Sequence, residues 1–299
     1  MTRLLITGAG GQVGRECCRL AAAADFELLT PTRSELNLEA PERIAEQLMR
    51  LAPDAILNCG AFTAVDAAED EPERAFRINA EAPRVLGEAA GRLAIPIIHL
   101  STDYVFDGTR PTPYVETDAP APLGVYGRSK AAGEAGLLAS GARYAIVRTS
   151  WVYSPHRSNF VKTMLRLAQA REEIGVVDDQ WGRPTAAADL ADAILSLIAR
   201  LLSGDDRAAG FFHYAGSGDT CWAGFAEAIF EESARRGGPF AHVRRIPTSG
   251  YPSPARRPAN SRLDTSKIES IGVRVRPWKE ALGACLDELL GSASLRPDS

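Results

Sequence analysis

Short apolar runs alternate with stretches of helical periodicity through the first half of the chain. Leu4-Leu5-Ile6, Glu27–Leu29, Ala55–Asn58, Ile95–Ser101 and Ala145–Arg148 read as strands, most of them apolar enough to be buried on both faces. Between them, Gln12–Ala24 places Val13, Cys17, Leu20 and Ala24 on one helical face, and Pro41–Leu51 carries proline in its first turn. Two further helices are predicted over Pro72–Asn79 and Pro83–Arg92, and another from Tyr126 to about Leu138, stopping near Gly141. This order predicts an α/β fold: a doubly wound parallel sheet covered by helices on both faces.

The second half is less regular. Asn159–Ala170 reads as a helix, Gly175–Val177 as a short strand, Asp179–Thr185 as a turn-rich loop, Ala187–Leu202 as an amphipathic helix and Phe211–Ala215 as a strand. A helix from about Thr220 to Arg236 then gives way to a stretch rich in Pro, Ser and Arg, Ile246–Arg262, before short helices at Ser266–Ile271 and Trp278–Leu290. Residues 1–150, with parts of 174–215, are assigned to a dinucleotide-binding domain. Roughly 151–173 and 216–290 are assigned to a smaller domain, and 291–299 to a disordered tail.

Composition narrows the partners. The 299 residues are 45% hydrophobic and 24% charged, with 34 basic against 38 acidic side chains and a net charge of −4, so neither nucleic acid nor an anionic membrane is an expected partner. No cationic, apolar leader opens the chain, and Asp189, Asp192 and Arg200 interrupt its longest apolar helix; a cytoplasmic protein is expected. Five cysteines at 17, 18, 59, 221 and 285 lack metal-ligand spacing and suit reduced thiols. Charge is uneven, however. Arg235–Lys279 holds eleven basic and two acidic residues, +9 within a total of −4, which leaves −13 for the remainder.

Chemistry enters at residue 8. Gly8-Ala-Gly-Gly11-Gln-Val-Gly14 lies between the first strand and the first helix, the setting a dinucleotide turn requires. Gly8 permits the tight turn, Gly11 lets the backbone approach a pyrophosphate and Gly14 allows helix to pack on strand, with phosphates on the free N–H groups of the helix start. After the second strand, where a carboxylate would suit a ribose 2′-hydroxyl, the chain has Arg33, which suits a 2′-phosphate or serves as an ordinary loop cation. Small residues, Cys59-Gly60-Ala61, follow the third strand.

The fourth strand delivers Ser101, Thr102 and Asp103 to its carboxyl end. Tyr126 and Lys130, four apart, share a helix face, so the ammonium is expected to converge on the phenol and draw its pKa down for proton transfer to or from a carbonyl oxygen, with Thr102 as a second hydroxyl. Trp151, just past the next strand, either grips a sugar by stacking or is a half-buried aromatic.

These motifs occur in order with GQVGRE (11–16), TAVDAAE (63–69), STDYVF (101–106), VYGRSKAAGE (125–134), RTSWVY (148–153), NFVKTML (159–165), DDQWGRPT (178–185) and YPSPARRPANSRLDTSK (251–267). Together they resemble the extended short-chain dehydrogenase/reductase superfamily over nearly the whole chain, and within it the reductases of nucleotide-linked 4-keto sugars. The resemblance implies a Rossmann-type domain with a smaller carboxy-terminal substrate domain, NADPH as cofactor with NADH as the alternative, and a monomer or homodimer acting on a small-molecule nucleotide sugar. It implies Tyr126 as proton donor, Lys130 at the nicotinamide ribose and Thr102 completing the set. Val65, Asp103, Tyr104 and Trp151 would meet the sugar; Gln12, Val13, Asn37, Leu38, Cys59, Gly60 and Ala61 would line the dinucleotide.

Asn37 stands where relatives often carry aspartate, leaving the cofactor preference open. Relatives that hold a divalent cation between subunits use three glutamates; here Glu16 and Glu288 match, but the third position is Ala188 beside Asp189, which argues against a metal. A dehydratase would need an acid pair where this chain reads Asp103-Tyr104. An epimerase that retains NAD, and a non-catalytic dinucleotide-binding subunit, remain as rival expectations. Arg256, Arg257 or Arg262, in the basic Pro-rich stretch, is expected to bind the pyrophosphate of the nucleotide sugar.

Overall fold

In the computed structural model, which describes residues 1–24 and 26–291, the first half alternates as read from its apolar runs. The elements are β1 (Thr2–Thr7), α1 (Gln12–Ala22), β2 (Phe26–Leu29), α2 (Pro41–Leu51), β3 (Ala55–Asn58), α3 (Val65–Asp70), α4 (Pro72–Phe76), α5 (Ala82–Leu93), β4 (Ile97–Thr102), α6 (Val125–Leu138) and β5 (Tyr144–Thr149). Then follow β6 (Val152–Tyr153), α7 (Phe160–Ala168), β7 (Glu173–Val177), β8 (Trp181–Gly182), β9 (Thr185–Ala186), α8 (Ala187–Leu202), β10 (Gly210–Tyr214), β11 (Thr220–Cys221), α9 (Trp222–Arg235), β12 (His242–Ile246), α10 (Ser266–Ser270) and α11 (Trp278–Gly291).

A six-stranded parallel sheet runs in the order β10-β5-β4-β3-β1-β2. Sheet growth reverses between β1 and β3, and at such a switch point the crevice beyond the strands' carboxyl ends takes ligands. Both faces are covered, so alternate residues of one strand enter different cores. Leu4, Ile6, Leu57 and Val147 pack with Cys17 of α1 and Leu190, Ile194 and Leu197 of α8. Leu5, Ile56, Ile97 and Ile146 pack with Ile44 and Leu48 of α2, Leu86 of α5 and Leu137 of α6. Each such aliphatic side chain contributes about 1.5–3 kcal/mol by leaving water.

A separate core holds the later segments together: Val161 and Leu165 of α7, Phe225 and Ile229 of α9, and Trp278, Leu282 and Leu286 of α11. Beside it, β7 and β12 form a parallel pair from Glu173↔His242 to Val177↔Ile246, outside the main sheet. Thus, within residues 174–215, α8 packs on the main sheet and β10 extends it, while the 174–177 strand does not join it.

Three local readings are corrected. The two helices expected over 72–92 are one helical run, joined by a π-helical turn, Arg77–Glu81, in which the Ala82 N–H reaches back to the Arg77 carbonyl. Pro83 stands directly after the π-helical turn, where the backbone register shifts, and does not break the run. Helix α3 and strand β12 were not foreseen. The first is short and follows a loop-like run of small residues; the second lies in the arginine-rich stretch, with Arg244 and Arg245 exposed and paired to Glu173 and Glu227. Gly291, expected in the tail, is the last residue of α11; residues 292–299 lie outside the described residues. Among the described residues no helix is long and apolar enough to cross a membrane.

Candidate active site

A cleft of about 1400 Å³ opens at the switch point, with the glycine turn forming one end. Gly8 has φ +66°, and a Cβ there would stand 2.7 Å from Gly60 Cα. A Cβ on Gly14 would stand 2.3 Å from the Gly8 carbonyl oxygen, so α1 can rest on the turn only with glycine there. The Gly11 N–H donates to Gly8 O at 2.8 Å. No side chain caps α1 at Gly11, and Gly11, Gln12, Val13 and Gly14 all line the cleft; uncapped N–H groups at a helix start suit a pyrophosphate.

Two residues that no periodicity marked complete this end. Arg157 Nε donates to the Gly10 carbonyl at 2.7 Å, and Asn159 Nδ2 donates to Gln12 Oε1 at 2.9 Å, tying the turn to the segment after β6. Farther along, Arg33, Asn37 and Leu38 line the cleft, with Arg33 exposed at its rim. Asn37 Oδ1 accepts the Glu39 N–H at 3.0 Å. Cys59, Gly60 and Ala61 also line it, with Gly60 against the Leu38 side chain. Their loop is fixed by Asn79, which exchanges hydrogen bonds with the Phe62 backbone (2.8 and 3.0 Å) and donates to Ser129 Oγ (3.0 Å). Asn79 sits in the π-helical turn; a poor helix former inside a helical run was the signal available.

At the other end, Thr102, Asp103, Tyr104, Tyr126, Lys130, Trp151 and Val65 come together. Thr102 Oγ1 donates to Asp103 Oδ1 at 2.9 Å and accepts the Tyr104 N–H at 3.2 Å. The Tyr104 and Tyr126 rings meet edge to face, centroids 5.6 Å apart. Trp151, held at φ 48°, stacks on Trp222 at 3.6 Å, which places a second, unforeseen indole in the cleft wall.

The expected electrostatics of the pair are corrected. Burial pushes the Tyr126 phenol above its usual range, with Asp103 and Tyr104 adding to the rise and the Thr102 hydroxyl pulling the other way. Lys130 is buried and its ammonium donates instead to the Leu100 carbonyl at 2.6 Å; burial brings its pKa down to about 8, against the opposing pull of Glu134 and Cys59. Desolvation, which disfavours whichever form is charged, sets the direction at both groups. Burial likewise brings Asp103 up to about 6, against the Ser261 and Thr102 hydroxyls, which pull the other way.

The family model described as the RmlD substrate binding domain matches residues 1–290. The chain belongs to this family. It is 44% identical over 281 residues to a dTDP-4-dehydrorhamnose reductase of Sinorhizobium fredii, covering 93% of this chain and 95% of that one. It is 43% identical over 298 residues to the enzyme of the same description from Escherichia coli K12, covering 98% and 99%. The crystal structure of dTDP-4-dehydrorhamnose reductase from Bacillus anthracis in complex with NADP superposes with a TM-score of 0.89 at 35% identity, covering 96% of this chain and 100% of that one.

In this member of the RmlD substrate binding domain family, the basic stretch is mostly neutralised by acids from elsewhere. Arg236 pairs with Glu232 and Asp287, Arg245 with Glu227, Arg276 with Asp189. The three arginines expected at the substrate pyrophosphate separate accordingly. Arg262 binds Asp219, Asn260 and the Pro111 carbonyl, so its charge serves the loop and it does not line the cleft. Arg256 is exposed and also outside the lining. Arg257 alone lines it, and Asp66 of α3 holds it at 3.0 Å while also accepting from Ser253 Oγ and the Ala255 N–H. Glu16 is engaged by Arg19 (2.9 Å) and His156 (3.2 Å), and no group of three acidic, His or Cys side chains among the described residues is placed to hold a metal.

Proposed function

We propose that the chain reduces the C4 keto group of dTDP-4-dehydro-L-rhamnose, giving dTDP-L-rhamnose, with NADPH as reductant. The observation that carries the reading is the juxtaposition, in one cleft, of an uncapped glycine turn at one end and of Thr102, Tyr126 and Lys130 at the other. Near-full-length identity to named reductases fits the same activity.

The residues present fit a dinucleotide: Gly8, Gly11 and Gly14 shape a turn that presents the uncapped start of α1 to the pyrophosphate, Gln12, Val13, Asn37, Leu38 and Cys59–Ala61 wall the remainder, and Lys130 holds the nicotinamide ribose. When bound, the reduced dinucleotide supplies the hydride that reaches the carbonyl carbon. Tyr126 gives its phenolic proton to the carbonyl oxygen as negative charge develops there. Its burial keeps the phenol protonated at neutral pH, which is the form a proton donor needs. Lys130 supplies positive charge beneath that oxygen, and Thr102 a second hydroxyl. Trp151 and Tyr104 flank the sugar, with Val65 and Asp103 completing its surroundings, and Arg257 meets the nucleotide pyrophosphate.

With its five thiols free, the enzyme belongs to the reducing cytoplasm, as a monomer or homodimer whose stoichiometry sedimentation would fix. The deciding assay follows NADPH absorbance with enzymatically generated dTDP-4-dehydro-L-rhamnose and identifies the product by NMR. NADPH oxidation with a C4 hydroxyl in the product is expected. Tight dinucleotide binding with no turnover would overturn the reading in favour of a non-catalytic subunit.

A further inference from the structure

The buried polar atoms beneath the reacting end form one connected chain. The Gly60 N–H donates to Thr7 Oγ1 (3.2 Å), and the Thr7 hydroxyl donates to Asn58 Oδ1 (2.6 Å). Asn58 Nδ2 meets His99 Nδ1 (2.9 Å), and His99 Nε2 meets Lys130 Nζ (3.2 Å). Thr7, Asn58 and His99 are register partners on adjacent strands β1, β3 and β4, so the sheet itself sets them on one level. Thr7 is 3% exposed, Asn58 1%, His99 0% and Lys130 2%. Thr7 and Lys130, at the two ends of this run of side chains, line the cleft, whereas Asn58 and His99 between them do not, so the protons of those two must be matched to acceptors within the run.

We propose that His99 is a positioning residue for Lys130: its ring changes tautomer with the charge on the Lys130 amine and so holds Nζ in one place in both states. The inference rests on the reading above only in giving Lys130 a part at the dinucleotide.

Two arrangements satisfy Asn58, His99 and Lys130. With Lys130 an ammonium, His99 Nε2 accepts from it, the ring proton sits on Nδ1, and the Asn58 amide presents its oxygen to that proton and its NH2 to Thr7 Oγ1, whose own proton then turns into the cleft that Thr7 lines. With Lys130 a neutral amine, the proton sits on Nε2 and donates to the Nζ lone pair, while Nδ1 accepts from the Asn58 amide turned end for end. In both, His99 carries a single proton; burial and the neighbouring Lys130 hold its pKa well below the usual range. Lys130, brought down to about 8 by burial, changes charge within the working range of an enzyme, and Glu134 and Cys59 are the other titratable groups acting on it. A ring that can accept or donate at the same point suits such an amine.

Replacing His99 by leucine removes the acceptor that the ammonium needs, and the charged form of Lys130 is disfavoured. The alkaline limb of kcat/KM is expected to move to lower pH by about one unit in His99→Leu, a tenfold change in the protonation equilibrium, and to return in His99→Gln, which can both accept and donate. A merely structural His99 would lower kcat equally at all pH. In the NADPH-bound wild type, ¹⁵N-histidine NMR between about pH 6 and 10 is expected to show His99 passing from the Nδ1–H to the Nε2–H tautomer along the same limb. A single tautomer throughout, or a limb unmoved in folded His99→Leu, overturns the proposal. If His99→Leu fails to fold, the wild-type spectra decide. They are recorded without turnover, so loss of the reductase reading would not be mistaken for loss of this one.

Discussion

On the floor of the cleft, Thr7, Asn58, His99 and Lys130 are buried and bound to one another, whereas the wall over residues 253–262 hangs from half-exposed ion pairs, Asp66–Arg257 and Asp219–Arg262. Groups on the floor have been taken out of water and held by strand register, so they are preorganised at a cost in stability. Pairs on the wall remain partly hydrated and screened, so they can be exchanged for a ligand's charges at small cost. The floor therefore suits a step that needs fixed protons, and the wall suits recognition of a phosphate that comes and goes.

The sharpest way to break the floor is Tyr126→Phe, which removes one oxygen and leaves the packing of the ring. Turnover is expected to fall by about 10²–10⁴-fold, the usual contribution of a positioned proton donor, with NADPH affinity held within about twofold. Stopped-flow reduction and fluorescence titration separate the two quantities. Near wild-type turnover would remove Tyr126 from the role given to it.

Next in size is the cost of burial at Asp103. Its folded-state pKa, about 6, lies above its usual value, so its favourable contribution is complete below about pH 4 and is lost as pH rises through about 6. Asp103→Asn is therefore expected to be more stable than the wild type at pH 7, on the order of 2–3 kcal/mol, with no advantage near pH 4. Urea unfolding across that range measures the gap. A gap independent of pH would mean that the carboxylate is not the strained group, and that the floor is less costly than it looks.

Much of the floor was legible in the sequence because its causes are local. An apolar run bounded by polar residues is a strand, and Thr7, Asn58 and Thr102 stand where three such runs end. Gly8 and Gly14 were legible because backbone contacts leave no room for a side chain. The wall was not legible in the same way. Eleven basic residues in Arg235–Lys279 looked like cations seeking a ligand, but their partners, Glu173, Glu227, Asp219 and Asp66, lie far away in the chain and only tertiary contact brings them near. Tyr126 and Lys130 stand four apart on α6 and line one cleft, yet spacing carries no information about burial, and burial set the direction of both pKa shifts.

On the wall itself, Arg257→Ala and Arg262→Ala divide recognition from support. The first is expected to raise KM for the nucleotide sugar by about tenfold or more, in keeping with about 1.5–3 kcal/mol for a charge-assisted bond, while KM for NADPH moves less than twofold. The second should leave both KM values near wild type and instead lower the unfolding temperature, since its partners are Asp219, Asn260 and the Pro111 carbonyl. If the two variants behaved alike, the wall would be a single structural unit and the pyrophosphate site would lie elsewhere.

The smallest effect is expected at the rim, where the cleft is neither rigid floor nor latched wall. Arg33 lines the cleft but is exposed, so its attraction for a 2′-phosphate is weakened by water and salt. Preference there depends as much on which carboxylates are occupied. Glu35 accepts from the Thr32 N–H and hydroxyl, at 2.8 and 2.9 Å, and Glu39, which also lines the cleft, is held by Arg74 at 2.7 Å. With both engaged, neither Glu35 nor Glu39 is free to receive a ribose 2′-hydroxyl. NADPH is therefore expected to be favoured over NADH in kcat/KM by about tenfold, or about 1.4 kcal/mol, and Arg33→Ala to bring the ratio close to one. Arg74→Ala, by freeing Glu39, should move the ratio in the same direction without touching Arg33. Equal use of the two cofactors by the wild type, unchanged in both variants, would show that the rim takes no part in the choice and that selectivity, where it exists, comes from the floor.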